Sequence, residues 1–302
     1  MPYPVENTDT QIMLIVAGLF LIGAIVIAFA SFRLKDKATI KELWNLYAVE
    51  FALVSMVLIP IYLGGAILFL ATLLLTLRGL WELYRVYNKP GFGPLQWASY
   101  IAATIAISIV SISSEPAIDA ALLSMIFIIF SASLLPGAKD DLLPITFMGL
   151  ALPVLPLLSL LALANTNQGF LLLFYIYLVV ELNDSFAYLI GKIFGKHRPF
   201  PYLSPRKSTE GLLGGLVISG IIGIILGIYL LELSFMMATG ATIVILLAGL
   251  LGDFATSALK RKRGVKDFPA IHGFHGGALD IHDAYLFAVP GFYVYYWSII
   301  LN

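Results

Sequence analysis

Long apolar runs recur along almost the whole chain and restrict its fold more than any other feature. The first is QIMLIVAGLFLIGAIVIAFA at 11–30, and about 20 apolar residues suffice for a helix to cross a bilayer. Only 12% of the 302 residues are charged, whereas about 25% is usual for soluble domains. Lipid must therefore replace water around much of the surface. These features predict an all-α, polytopic integral membrane protein with nine to ten transmembrane helices.

The apolar runs divide the chain into ten predicted spans. The second and third are joined closely through Gly64 and Gly65. The first run follows Glu6 and Asp9 rather than a basic segment, so we expect a retained helix and not a cleaved signal peptide. The predicted spans are 11–31, 45–62, 65–80, 97–112, 117–135, 143–164, 169–190, 211–231, 235–252 and 284–301.

The basic residues support this topology independently. With ten spans, all 18 lysines and arginines fall in one alternating set of loops, if Arg78 is counted at a helix end. The positive-inside rule places such loops in the cytoplasm and therefore both termini outside. Ten of the 18 basic residues lie within 192–266. We therefore predict N-terminal transmembrane helices at 1–168, a catalytic transmembrane region at 169–302, and an active site on the cytoplasmic side of the inner or plasma membrane.

Several function classes are excluded by composition and by missing motifs. The net charge of zero argues against a nucleic-acid partner, which would require a basic excess. The absence of cysteine excludes disulfides and thiolate metal sites. Neither a GxxxxGK[ST] phosphate loop nor a GxSxG nucleophile turn occurs, which argues against those nucleotide and hydrolase sites.

The first polar constellation lies at 181–211, where Asp184 ends a long apolar run. The stretch SPRKSTEG at 204–211 has the pattern of a helix start. Exposed N–H groups at a helix N-terminus attract anions, and Lys207 adds a point charge suited to phosphate. We therefore favour ligand binding for Ser204, Lys207 and Glu210 together. Three further basic residues are equally compatible with lipid headgroups and with a ligand: Lys192, Lys196 and Arg198.

The second constellation is GDFATSALKRKRGVKD at 252–267. Asp253 and Ser257 are four residues apart, and Lys260 and Arg261 follow one turn later, so one helical face carries acid, hydroxyl and base. This face is compatible with a simple salt-bridge ladder, and equally with a divalent cation and the phosphates that it bridges. Basic clusters beside spans commonly bind anionic lipids, so KRKR alone is not specific.

The third constellation is HGFHGGALDIHD at 272–283. Adjacent glycines allow the backbone to approach a ligand closely. If a helix begins there, Asp280 and Asp283 share a face and repel each other unless a cation lies between them. Mg²⁺ is normally held by carboxylates together with substrate phosphates. Zinc is a less favoured alternative, because His272, His275 and His282 supply nitrogen ligands but no HExxH pattern is present.

Taken in order, these motifs resemble those of the phosphatidate cytidylyltransferases over about 181–290. The resemblance rests on a serine, KR, KD, HGG and a final D-x-x-D at matching spacing, together with the upstream pattern from Asp184 through Gly215. The chain departs from the family at Ile281, where the family has an arginine, and at the following His282. Arginine is a strong phosphate or carboxylate partner. The departure therefore implies a changed phosphate contact or a lost orienting ion pair, for which His282 compensates in part.

The resemblance implies that a lipid phosphate attacks the α-phosphorus of CTP with Mg²⁺ or another divalent cation present, releasing pyrophosphate. It assigns catalysis to Asp253, Asp280, Lys260 and Lys207, and metal binding to Asp253, Asp280, Asp283 and Asp184. It assigns substrate contacts to Ser204, Ser257, Arg261, Lys266, His275, Gly276 and Gly277.

Several alternatives stay open. They are a CTP-dependent enzyme of another lipid, such as a polyprenol kinase, an ion-coupled transporter and a scaffold without activity. Charges clustered at one membrane face argue against a transporter with ion sites at the midplane. A homodimer is left open.

Overall fold

The computed structural model describes residues 5–33, 37–87, 93–113, 118–133, 143–271 and 276–301. Within these ranges all regular structure is helical, so the predicted all-α class is confirmed. The helices are α1 Val5–Arg33, α2 Lys37–Leu63, α3 Gly65–Val86, α4 Pro94–Ile112, α5 Ile118–Ser133, α6 Leu143–Gly149, α7 Leu155–Ala164, α8 Gly169–Phe194, α9 Thr209–Leu230, α10 Phe235–Lys262, α11 Ala278–Ile281 and α12 Asp283–Tyr295.

The described part of the chain contains eight helical segments that are long and apolar enough to cross a membrane. The shorter α5 and the segment formed by α12 and the π-helical residues Tyr296–Ile300 account for the remaining two predicted spans. Several helices continue beyond the predicted limits, since α3 ends at Val86 rather than 80 and α10 ends at Lys262 rather than 252. Hydropathy marks where a helix leaves lipid, whereas good helix formers such as Glu, Lys and Arg carry the helix further.

The chain divides into two compact units, 1–67 and 68–302. In the first unit, the Tyr47 hydroxyl donates to the Phe20 carbonyl at 2.7 Å, and the rings of Phe20 and Phe51 meet edge to face at 5.0 Å. The second unit contains all residues of the candidate site. The functional boundary predicted at residue 168 is a different kind of division and stays a prediction.

A π-helical segment, Leu150–Val154, interrupts the helix between α6 and α7. Pro153 lies inside this segment, and because proline lacks an N–H it locally breaks the α-helical hydrogen-bond pattern. α3 passes close to this interruption at Gly79, where an added Cβ would lie 2.8 Å from the Pro153 Cβ and 3.2 Å from Leu279 Cδ2. The glycine therefore lets α3 approach both the interrupted helix and α11.

Helix α9 has one face of small residues packed against α8 and α10. Its opposite face is exposed, with Leu213, Val217 and Ile221 each more than half accessible. At Gly223 an added Cβ would lie 2.7 Å from Thr242 Cγ2, so this glycine lets α9 and α10 approach each other closely. Close packing brings the ends of α8 and α10 that carry Asp184 and Asp253 to one cavity.

Candidate active site

A cavity of about 600 Å³ opens among α8, α10, the segment before α9, and the residues around α11. Four acidic and four basic side chains line it, so its charges balance. These are Asp184, Asp253, Asp280 and Asp283, and Lys192, Arg198, Arg206 and Lys207. The remaining wall is largely apolar and includes Val180, Ala187, Leu212, Ile245, Leu246 and Leu250.

The α8 wall carries Asp184 together with a neighbour that the sequence did not single out. Asp184 is exposed toward the cavity, and Asn183 Nδ2 donates to it over a long 3.4 Å. The Asn183 Oδ1 atom is buried and has no hydrogen-bond partner among the described residues. Buried polar atoms are normally satisfied, so this oxygen is available for a ligand in the cavity.

Lys207 lies where the carboxylates of the cavity meet. Its ammonium forms an ion pair with Asp253. Burial lowers the pKa of Lys207, while the negative charges of Asp184 and Asp283 act in the opposite direction. The lysine predicted to bind phosphate therefore neutralises the acidic side of the cavity when no substrate is present.

The predicted helix start beside Lys207 is confirmed, because α9 begins at Thr209 with Ser208 as its N-cap. The Ser208 hydroxyl accepts from Gly211 N at 3.1 Å, and Thr209 N donates to the His197 carbonyl at 3.0 Å. Two of the first N–H groups of α9 are thus bonded within the protein. Ser204 lines the cavity, which agrees with its predicted position near a substrate.

The predicted site residues of helix α10 do not all line the cavity. Asp253 lines the cavity, and Lys260 is buried with its Nζ 2.5 Å from Asp280 Oδ1. Ser257 is also buried but is not part of the cavity lining. Arg261 donates to the carbonyls of Val265 at 3.0 Å and Tyr202 at 3.2 Å. Arg261 therefore connects the segment before α9 with the segment after α10, outside the cavity.

Lys266 is exposed and does not line the cavity. The cavity is lined instead by three other basic side chains, which come from α8 and from the segment before α9. These are Lys192, Arg198 and Arg206. The sequence had already left Lys192 and Arg198 open between lipid headgroups and a ligand. Arg206 had only its position next to Lys207.

Asp280 is held by three donors of the protein itself. Besides Lys260, its Oδ2 atom accepts from Phe268 N at 2.6 Å and from Gly277 N at 3.0 Å. A carboxylate with three such partners is fixed in place. Asp280 therefore anchors the loop that precedes it as well as lining the cavity.

Asp283 does not share a continuous helix with Asp280, because α11 ends at Ile281 and α12 begins at Asp283. Asp283 Oδ2 accepts from the Thr256 hydroxyl at 3.0 Å, and Oδ1 accepts from Ala284 N at 2.8 Å. Burial raises the pKa of Asp283 to about 6, against the charge of Lys260. The expected face shared by the two aspartates is thus replaced by two separately bonded carboxylates.

His282 does not supply a positive charge in place of the missing arginine. The side chain is buried, and burial lowers its pKa to about 4. The imidazole is therefore neutral near pH 7, which corrects the expected partial compensation for Ile281.

The two described glycines of the HGG motif make room for carboxylates of the protein. Gly276 has φ +122°, and an added Cβ would lie 2.9 Å from the Asp280 Cβ. An added Cβ at Gly277 would meet the Glu82 carboxylate. Backbone approach to a nucleotide stays a prediction for these glycines, and His275 lies outside the described residues.

Glu82 and its partner Arg78 are the residues near the site that sequence reasoning missed. The predicted third span ended at 80, so Glu82 was assigned to a loop, although it lies inside α3 and is fully buried. It accepts from Ala278 N at 2.8 Å and from Leu279 N at 3.0 Å. No motif relates residue 82 to residue 278, so this contact could not be inferred from the sequence.

The donors of the cavity are compatible with a divalent cation of the magnesium type. They are carboxylate oxygens and the unpartnered Asn183 Oδ1, and oxygen is the preferred ligand of Mg²⁺. Among the described residues no three acidic or histidine side chains converge on one point. That arrangement fits Mg²⁺, which commonly takes one or two carboxylates and completes its shell with water and substrate phosphates. The alternative zinc cluster falls largely on His272 and His275, outside the described residues.

This polytopic helical membrane protein, with a charge-balanced cavity at the ends of its helices, belongs to the cytidylyltransferase family, whose model matches residues 44–299. Among similar proteins is the phosphatidate cytidylyltransferase of Staphylococcus epidermidis, which is 30% identical over 240 residues, or 78% of this chain and 92% of the relative. The phosphatidate cytidylyltransferases of Staphylococcus haemolyticus and Staphylococcus aureus are each 33% identical over 56% of this chain. The aligned part spans 65% of the length of each of these two relatives.

Proposed function

We propose that this protein transfers CMP from CTP to phosphatidic acid, which gives CDP-diacylglycerol and pyrophosphate. The observation that carries the proposal is the cavity, which joins eight balanced charges to an apolar wall among membrane-spanning helices. Such a cavity suits two phosphate-bearing substrates of which one has acyl chains. The family relationship and the names of the similar proteins support the same activity.

The reaction needs no protein base to create its nucleophile. The second pKa of a phosphate monoester is about 6, so the lipid phosphate has already lost most of its second proton at neutral pH. Its oxygen forms a bond to the α-phosphorus of CTP, while the bond from that phosphorus to the bridging oxygen breaks and pyrophosphate leaves with the electron pair. The main barrier is therefore the approach of two anions, which requires charge neutralisation and alignment.

The basic wall supplies that neutralisation. We assign phosphate contacts to Lys192, Arg198, Arg206 and Lys207, which line the cavity. Arginine offers a planar fork that binds phosphate in a bidentate manner, whereas lysine acts as a mobile point charge. Lys207 leaves its ion pair with Asp253 when it contacts a phosphate. Ser204 donates a hydrogen bond from the same wall.

Two carboxylates of the acidic wall would hold a divalent cation. We assign Asp184 and Asp253 to this role, with Asn183 Oδ1 as a further oxygen donor, because both carboxylate oxygens of Asp283 are already bonded to Thr256 and Ala284 N. Such a cation would supply neutralisation of phosphate charge. Asp280, paired with Lys260, contributes by holding the backbone of Phe268 and Gly277. The basic loops support a cytoplasmic location for this cavity, where a soluble nucleotide would meet a membrane lipid.

The experiment compares three lipid acceptors, and it compares one variant of the site with a control variant outside it. Purified full-length protein is incubated with α-labelled CTP, Mg²⁺ and either phosphatidic acid, a polyprenyl phosphate or a polyprenol. We expect CDP-diacylglycerol and pyrophosphate in equal amounts from phosphatidic acid. Asp253→Asn should lower turnover by about a hundredfold or more, whereas Asp119→Asn, an exposed acid on α5, should behave as wild type.

The three lipid acceptors distinguish the ways in which the proposal can fail. Product from polyprenyl phosphate but not from phosphatidic acid would identify a different lipid acceptor. Release of CDP with polyprenol would identify a kinase. No CTP consumption with any acceptor would refute the enzymatic proposal as a whole.

A further inference from the structure

An ion pair with one fully buried partner lies beside the candidate active site without lining its cavity. Glu82 is fully buried in α3, and the half-buried Arg78 donates from Nε to its Oε1 atom at 2.7 Å. We call these two residues the α3 brace. Burying a charge such as that of Glu82 is unfavourable unless it is paired and hydrogen-bonded. The contacts that satisfy Glu82 therefore indicate what the buried carboxylate does.

The α3 brace holds both sides of the segment that carries the HGG motif. Glu82 accepts from the first two N–H groups of α11, at Ala278 and Leu279, over 2.8 and 3.0 Å. Arg78 donates to the carbonyls of Pro269 and Ala270, at 2.7 and 3.2 Å. One ion pair on a long helix thereby fixes the residues before and after 271–276.

The brace connects directly with Asp280 in the cavity. Gly277 N donates to Asp280 at 3.0 Å, and the next two N–H groups donate to Glu82. Two carboxylates therefore divide three consecutive N–H groups between them. Because Asp280 also pairs with Lys260, a movement of α11 relative to α3 would displace both of these side chains.

Helix α11 cannot fix this geometry by itself. It has four residues and is separated from α12 at His282, and so short a helix is not stable in isolation. Its position must come from contacts with other elements. The brace supplies charged contacts of this kind. In addition, Gly79 on α3 has no side chain and therefore allows Leu279 of α11 to pack closely against α3.

We propose that the Arg78–Glu82 pair is a positioning device that sets the location of Asp280, which lines the cavity, and of its ion-pair partner Lys260. The pair acts through Asp280 and the backbone of α11, and touches neither substrate. This inference rests on the proposed cytidylyltransferase function. It adds two positioning residues from the first half of the chain.

The first test is Glu82→Gln, which keeps the size of the side chain. The amide has one acceptor oxygen for two N–H groups, and its own NH₂ group faces donors, so α11 loses an anchor. Small misplacements of reacting groups can slow chemistry by about a hundredfold. We expect kcat to fall about 10- to 100-fold while KM for CTP changes by less than about threefold, since no substrate contact is removed.

The second test is a graded pair at Arg78. Lysine keeps the charge but offers a point donor, which cannot reach Glu82 and both carbonyls at once. Arg78→Lys should therefore retain more turnover than Arg78→Met. A graded loss with full expression of folded protein indicates positioning, and these variants decide the matter if Glu82→Gln does not fold.

The control is Thr76→Val on the same helix. Thr76 is fully buried, and its hydroxyl donates to Thr72 O at 2.8 Å within α3. Hydrogen–deuterium exchange of peptides covering 276–283 gives a readout that does not require activity. We expect faster exchange there in Glu82→Gln and wild-type exchange in Thr76→Val.

The outcomes distinguish this inference from the proposed function. An inactive wild-type protein contradicts the proposed function, and the positioning role falls with it. An active wild type with full turnover in Glu82→Gln and Arg78→Met overturns the inference and leaves the proposed function intact. Equal losses of kcat in Thr76→Val and Glu82→Gln reduce the brace to a general structural role and also overturn it.

Discussion

Asp184 and Asp280 line the same cavity, but their surroundings differ. Asp280 is tied to Lys260 and two backbone N–H groups, whereas Asp184 is exposed to the cavity beside Asn183. A carboxylate that is saturated by the protein holds structure, and one that is open can bind a ligand. The sequence motif assigned the same metal-binding role to both residues. Only the positions of Phe268 and Lys260 in space distinguish them.

Substitution by asparagine should separate these roles. Asp280→Asn leaves buried Lys260 without its anion, and breaking a buried ion pair typically costs about 3 to 5 kcal/mol. Asp184→Asn should leave stability nearly unchanged and abolish turnover. Thermal unfolding in detergent and CDP-lipid formation measure both effects. Equal melting temperatures for the two variants would contradict the structural role of Asp280.

His282 should make the fold sensitive to acid. Its pKa is lowered by burial from 6.5 to about 4, so the unfolded chain binds the proton more tightly than the folded one. Stability is therefore lost as pH falls through this window, by about 2 kcal/mol between pH 7 and pH 5. His282→Gln should show a smaller difference in melting temperature between these pH values. An unchanged difference in His282→Gln would contradict this prediction.

At the scale of elements, helix existence was predictable, but helix ends and the orientation of polar side chains were not. The apolar runs indicated each span, whereas α3, α8 and α10 continue through polar residues. A helical face was inferred for Asp253, Ser257, Lys260 and Arg261, yet Arg261 points toward Tyr202 and Val265. Lys260 and Arg261, seven and eight residues after Asp253, point about 20° and about 80° away from it around the helix axis, so they need not face the same neighbour.

The two exposed lysines Lys192 and Lys266 provide a test of which basic residues contact substrate. Lys192 lines the cavity from α8, whereas Lys266 does not line it. Removing a charged hydrogen-bond partner costs about 1.5 to 3 kcal/mol, which corresponds to at least about a tenfold change in KM. Lys192→Met should raise KM for CTP or for the lipid by that amount, and Lys266→Met should stay within about twofold. The reverse order would restore the assignment made from the KD motif.

At the scale of the whole molecule, six of the predicted site residues line one cavity because their motifs lie on consecutive elements, while their roles stay predictions. The residues from Asp184 to Asp283 come from α8 to α12 and meet at one cavity. The contribution of α3 could not be predicted, since Glu82 contacts a backbone 196 residues away. Backbone N–H groups carry no side-chain signal, so neither composition nor spacing reveals such a contact.

The orientation in the membrane can be tested directly because the chain contains no cysteine. Single cysteines at exposed Asn167 and Glu232 should react with an impermeant thiol reagent on intact cells. Cysteines at exposed Lys196 and Lys266 should react only after the membrane is permeabilised. These outcomes follow from the basic loops facing the cytoplasm. Labelling of all four on intact cells would reject the proposed orientation.

The spacing of Arg78 and Glu82 also bears on how the protein is made. α3 emerges from the ribosome long before Pro269, which lies 191 residues after Arg78. During that interval neither charge has its backbone partners in the C-terminal part. Because the two residues are four apart on one helix, they neutralise each other without help, which reduces the cost of holding charges at the membrane. We therefore expect the pair to lower the cost of inserting α3 during synthesis, and to bind the backbone around α11 once the C-terminal helices have been made.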